Sequence, residues 1–76
     1  MEDIIKYIVK SLVDNTEDVV ISTEPESEKV IILKVQVHPD DIGKVIGRHG
    51  KVANAIRTIV KSASSKSGKR FIVKIS

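Results

Sequence analysis

The chain has no cysteine and no tryptophan, and its only aromatic residues are Tyr7 and Phe71. Without a thiol there are no disulfides and no thiolate chemistry, which fits a reducing compartment. So few rings exclude the stacking platforms on which some nucleic-acid-binding folds lay successive bases. No apolar run approaches the roughly 20 residues needed to span a bilayer. Met1 leads into an amphipathic segment containing Glu2 and Asp3, not into a basic stretch followed by an apolar one, so no signal peptide is expected. The reading is a cytoplasmic protein with no membrane partner. Acids are also missing from one region: between Gly43 and Ser76 there are nine Lys/Arg and no Asp or Glu.

That gap makes the charge polar along the chain. Residues 1–28 carry eight acids and two lysines, whereas residues 29–76 carry eleven Lys/Arg against Asp40 and Asp41. The net charge of +3 therefore hides an acidic first part and a strongly basic remainder. Such a basic stretch favours an anionic partner, with nucleic acid the usual one; a solvated lysine surface is the plainer alternative. Length and composition bound the rest. Seventy-six residues, 41% hydrophobic and 30% charged, make one globular domain, 1–76. A chain of this size buries only roughly 60% of its unfolded surface, which allows a surface groove more readily than an enclosed active site.

Met1, Ile4, Ile5, Ile8, Val9, Leu12 and Val13 recur at three- and four-residue steps, which predicts an amphipathic helix ending near Asp14-Asn15. "DVVIST" and "KVIILKVQV" are β-branched runs, and "EPESE" between them reads as a hairpin loop. Pro39, Asp40 and Asp41 suit a helix start, where proline and acids are tolerated. A short helix with Ile42, Val45 and Ile46 follows and ends at Gly47. After Gly50 a longer helix is expected, its inner side marked by Val52, Ala55, Ile56, Ile59, Val60 and Ala63. "SSKSGK" is a loop by composition and "RFIVKI" a closing strand. The order is α-β-β-α-α-β. The simplest architecture is α+β, a three-stranded mixed sheet with helices packed on one face.

The segment "GKVIGRHGKVANAIR" places three of the four glycines within eight positions. A P-loop ending at Gly50-Lys51 needs glycine at position 45 and a hydroxyl at 52, and both are valine. The dinucleotide fingerprint fails at the same Val45, and the segment joins two helices where that motif joins a strand to a helix. What remains is Val45-Ile46-Gly47-Arg48-His49-Gly50, a (V/I)-I-G-x-x-G turn between two helices. With the element order, this turn resembles the KH domain, whose GXXG loop clamps about four nucleotides of a single strand. The order is similar to the type II arrangement. The length and "DIGKVIGRHGKVANAIRTIV" resemble the small bacterial single-KH proteins of the KhpA family.

The resemblance implies a non-enzymatic binder of single-stranded RNA, or of single-stranded DNA, that uses no cofactor. It also implies an RNA chaperone in post-transcriptional regulation, tied to cell shape and cell-wall homeostasis. Self-association is implied too, or pairing with a larger KH-containing protein of the KhpB (Jag-like) type. The residues agree on independent grounds. Gly47 and Gly50 bring bare backbone to the surface, the first turn after Lys51 offers unpaired N–H groups, and Arg48 and Lys51 add charge. Lys44 lies one turn upstream, and His49 supplies a hydrogen bond.

Bases are expected along a groove between the helix pair and the middle strand, with Ile42 and Ile46 as its floor or simply as core. Gly43 is read as a close-packing position ahead of an RNA contact. Arg57, Lys61, Lys66, Lys69 and Arg70 are read as solvated. Ala53, where KH domains often carry a bulky aliphatic, would lie near a docking surface on the last helix. Neither His38 with His49 nor the serine cluster Ser62, Ser64, Ser65 and Ser67 forms a metal site or an activated nucleophile. The rival reading is a KH-shaped protein-docking module whose basic face meets an acidic partner.

Overall fold

Apolar side chains at helical spacing produce α1 (Glu2–Leu12), whose buried side is Ile5 and Val9, continued by Val13 just beyond its end. The computed structural model describes residues 2–76; Met1, assigned above to the same stripe, lies outside them. Two β-branched runs follow as β1 (Val20–Pro25) and β2 (Val30–Gln36). A 3-10 turn at Pro39–Asp41 leads into α2 (Ile42–Ile46), and a second one at Arg48–Gly50 leads into α3 (Lys51–Ser64). The last element is β3 (Arg70–Ile75). This is the expected α-β-β-α-α-β order, with one further 3-10 turn at Thr16–Asp18.

The sheet order is β1-β2-β3, with β1 antiparallel and β3 parallel to the central β2. A parallel neighbour requires a crossover, and here the crossover is the α2–turn–α3 segment. That topology carries the glycine turn across one face of the sheet. Strand alternation divides the faces. Leu33, Val35 and Val73 join Ile5, Val9, Val45, Ile56 and Val60 in one core cluster. On the opposite face Lys34 sits directly across from Lys74 in register, and Lys34 forms an ion pair with Glu24 at 2.5 Å. Among the described residues no helix is long and apolar enough to cross a membrane.

Three expectations shift. Pro25 is the last residue of β1, paired with Ile31, not part of the loop; a proline is tolerated there because β1 is an edge strand. Ile4 and Leu12 leave much of their surface in solvent. The buried face of α3 is Ala53, Ile56, Val60 and Ser64, whereas Ala55, Ile59 and Ala63 face outward. Apolar residues cover more of α3 than the single stripe a sheet can bury, so spacing alone did not fix which part turns inward.

The core is small, so its central side chains matter individually. Leu33 is fully buried and Ile4 is 55% exposed. Leu33→Ala is expected to cost about 2–5 kcal/mol of unfolding free energy, and Ile4→Ala within about 0.5 kcal/mol; urea denaturation of the two variants checks both.

Candidate nucleic-acid interface

Two short segments with positive φ build the turn between α2 and α3. Gly47 has φ 77° and Gly50 has φ 74°. At Gly47 the requirement is double: a Cβ would fall 2.5 Å from Val52 Cγ2 and 2.9 Å from the Val52 backbone nitrogen. His49 also lies in the left-handed region, at φ 57°, the one non-glycine to do so among the described residues. Such conformations are uncommon for residues with a side chain and collect at functional sites. Inside the turn the Gly50 amide donates to Gly47 O at 3.1 Å and the Gly47 amide to Gly43 O at 2.9 Å. Arg48, His49 and Lys51 point into solvent. Gly50 caps α3 without a side chain, and the Lys51 amide donates to Arg48 O, so no side chain stands between solvent and the partial positive charge of the helix start.

Beside Ile46, the residue that precedes this turn, a groove runs along α3 and β3. One section, about 580 Å³, is lined by Ile46, Ala53, Arg57, Val73, Ile75, Lys74 and Ser76, with Lys34 and Gln36 of β2. The next, about 640 Å³, is lined by Arg57, Lys61, Ser64, Ser65, Lys69, Arg70, Phe71, Ile72 and Val73. Among the described residues no acid lines either section. The wall is thus formed chiefly by the edge strand β3, over which the crossover lays α3, with Lys34 and Gln36 of the middle strand contributing to one section.

The expected residues divide accordingly. Gly47, Arg48, His49, Gly50 and Lys51 sit together in the turn that follows Ile46 and line neither section. Ile46 lines the groove and is 39% exposed, whereas Ile42 packs half-buried against the core. Arg57, Lys61, Lys69 and Arg70, read as solvated, border the groove. Phe71 does as well, which places one of the two aromatic rings in its wall. Ala53 is 3% exposed at the groove floor and belongs to no outer docking face.

Lys44 and Asp41 behave unlike their sequence reading. The Lys44 ammonium is paired with Asp14 and lies 3.6 Å from Asp41 Oδ1; its pKa is raised, chiefly by the hydrogen bond to Asp14. Asp41 is 1% exposed and makes no cap bond to its own helix. It accepts from the Asn15 amide and from Asn15 Nδ2, both at 3.0 Å, and from the Asp14 amide at 3.4 Å. Burial pushes its carboxyl up, but the Asn15 and Asp14 bonds and the nearby Lys44 outweigh that and hold it below the ordinary value.

Gly43 is exposed, and a Cβ there would meet nothing within 4 Å. Close packing is therefore not its reason; the open space lies on the outer side of α2. Gly43→Ala is expected to raise stability by up to about 1 kcal/mol, read as a higher melting temperature. If nucleic acid approaches the backbone there, the same variant binds a short single-stranded RNA more weakly.

A mixed α+β layer with a two-glycine turn between helices and an adjoining cationic groove defines a type II KH fold. The family model described as "KhpA/KhpB, KH domain" matches residues 2–75. The chain is 48% identical to the RNA-binding protein KhpA of Clostridium perfringens and 47% identical to that of Caldanaerobacter subterraneus, in each case over 99% of both chains. It is 41% identical to the KhpA of Aquifex aeolicus over 99% of this chain and 94% of that protein. No solved structure matches. The chain belongs to the KhpA/KhpB KH-domain family.

Proposed function

We propose that this chain is a non-catalytic binder of single-stranded RNA. The observation that carries the reading is the left-handed turn Gly47-Arg48-His49-Gly50, which follows directly on Ile46, a lining residue of a groove whose described lining holds no acid. The names of the relatives, each an RNA-binding protein, support it. Phosphates rest on the bare backbone at Gly47 and Gly50 and meet the positive end of α3. Arg48 and Lys51 supply full charges, and His49 a hydrogen bond. The chain then runs along Ile46, Ala53 and Val73, with Arg57, Lys61, Lys69 and Arg70 beside it. Only Phe71 offers a ring, so affinity and base preference are modest and phosphate contacts dominate. Single-stranded DNA meets the same phosphate contacts.

Family membership supports a finer reading: a cytoplasmic RNA chaperone or post-transcriptional regulator serving cell shape and cell-wall homeostasis. It also supports association with a second copy or with a KhpB-type (Jag-like) partner, since two weak sites joined together gain avidity without new contacts. Ala55, Ile59 and Ala63 form an outward stripe on α3 at four-residue steps, with Ile59 39% exposed, and this stripe suits such docking. Sedimentation is expected to show a mass that rises with concentration and reverts to monomer in Ile59→Glu. A concentration-independent monomer in the parent protein removes the homodimer.

Replacing Arg48 and His49 together with Asp tests the clamp. Both side chains are exposed, and aspartate tolerates the left-handed region, so the protein stays folded. Affinity for a short single-stranded RNA is expected to fall roughly tenfold or more, as charge-assisted contacts are lost. In the parent protein log K falls by roughly 0.7 per neutralised phosphate for each tenfold rise in salt. An unchanged affinity in the double variant favours the protein-docking reading.

A further inference from the structure

A helix as short as α2 does not hold itself in place, because nucleation alone outweighs the few hydrogen bonds it can make. Its position is set by what it docks on. Toward the core, α2 offers one fully buried side chain, Val45, while Ile42 is half-buried and Ile46 is 39% exposed. Gly43 contributes no side chain. One apolar plug leaves a short helix free to pivot. The pivot is resisted at its leading end by Asp41, the one charged side chain buried among the described residues. Its bonds reach 26 and 27 residues back to the Asn15 and Asp14 amides. Lys44, one turn on, closes the same cluster by bridging Asp14 and Asp41. At the other end of α2 the Gly47 amide bonds to Gly43 O, and Gly47 O takes the Gly50 amide. Any rotation of α2 therefore re-aims the turn.

Resting on the clamp reading above, we propose that Asp41 is a positioning residue for nucleic-acid binding: it ties α2 to the Asp14-Asn15 turn and so aims the backbone at 47–50, and Lys44 serves that tie instead of a phosphate. The nucleic acid itself never touches Asp41. Lys44 brings no charge to the polyanion because its ammonium is already engaged by two carboxylates.

The sign of one effect separates this from simple electrostatics. Asp41→Asn removes a negative charge near a polyanion site, which by charge alone tightens binding. Positioning demands the reverse. A fluorescent oligouridine titrated into Asp41→Asn, Lys44→Met, Asp14→Asn and Arg48→Gln, each over a range of salt, reads both effects, with melting curves confirming that each variant is folded. Asp41→Asn and Lys44→Met are expected to bind more weakly by a factor of roughly 2 to 30, the span of off-site coupling changes, with the salt slope of the parent. Asp14→Asn also keeps the parent slope. Arg48→Gln, as a phosphate contact, lowers the slope by about 0.7. The proposal is overturned if Asp41→Asn binds as tightly as the parent or more tightly, if Lys44→Met lowers the slope like Arg48→Gln, or if Asp14→Asn steepens it by freeing Lys44. Should Asp41→Asn fail to fold, the Lys44→Met and Asp14→Asn slopes decide. An Arg48→Gln variant with parent affinity and slope sinks the clamp reading, and this proposal with it, which distinguishes the two failures.

Discussion

Gly47 passes its backbone so close to Val52 that no side chain fits between them, and the rest of the interface follows from that contact. Val52 packs against the core cluster formed by the sheet and the helices. The contact therefore ties the turn between α2 and α3 to the hydrophobic core. With its inner side occupied, the turn has only its outer side to offer, and there Arg48, His49 and Lys51 stand in solvent. The strain of left-handed φ at His49 is sustained by the same packing. A surface feature made largely of backbone is thus held by a hydrophobic core, which suits a small domain that cannot enclose a cavity.

Charge is organised around this frame. The cations that follow Gly43 in sequence include Arg57, Lys61, Lys69 and Arg70, and α3, β3 and the loop between them bring these four to the same groove. The acids of the first part stay off it, and two of the chain's carboxylates, Asp14 and Asp41, are occupied in fixing the start of α2. Polar and apolar parts therefore have separate tasks. In the proposed reading the core sets the height of the turn, the buried carboxylate sets the angle of α2, and the free cations are left for a polyanion. Surface ion pairs such as Glu24 with Lys34 add little to the fold by comparison.

The sequence was most legible where the signal is local. Changes of period from 3.6 to 2 marked the elements in order, and the glycine turn with its flanking Val45-Ile46 pointed to a backbone site because both its glycines and its cations lie within a few residues. The element order and the α+β architecture came out as expected, and so did the family. The less legible parts depend on partners distant in sequence. Asp41 had a sufficient local explanation as a helix-start acid, while its real partners, Asp14 and Asn15, lie in another loop. Strand order is not written along the chain, so the middle strand was legible as part of the groove wall and the larger share of β3 was not. Apolar residues on α3 span more than one face, so Ala55 and Ile59 were placed inside and Ala53 outside, the reverse of their positions. Gly43 looked like a packing glycine because its cost in a helix is visible locally, but the empty space beside it is not.

The most direct test of the central claim follows backbone amide resonances while a short single-stranded RNA is titrated into the protein. The largest shifts are expected on Arg48, His49, Gly50 and Lys51, with a second, weaker set along α3 and β3 from Ala53 to Phe71. Shifts concentrated on α1 or on the Ala55–Ile59–Ala63 stripe, with the amides of the glycine turn unmoved, would contradict it.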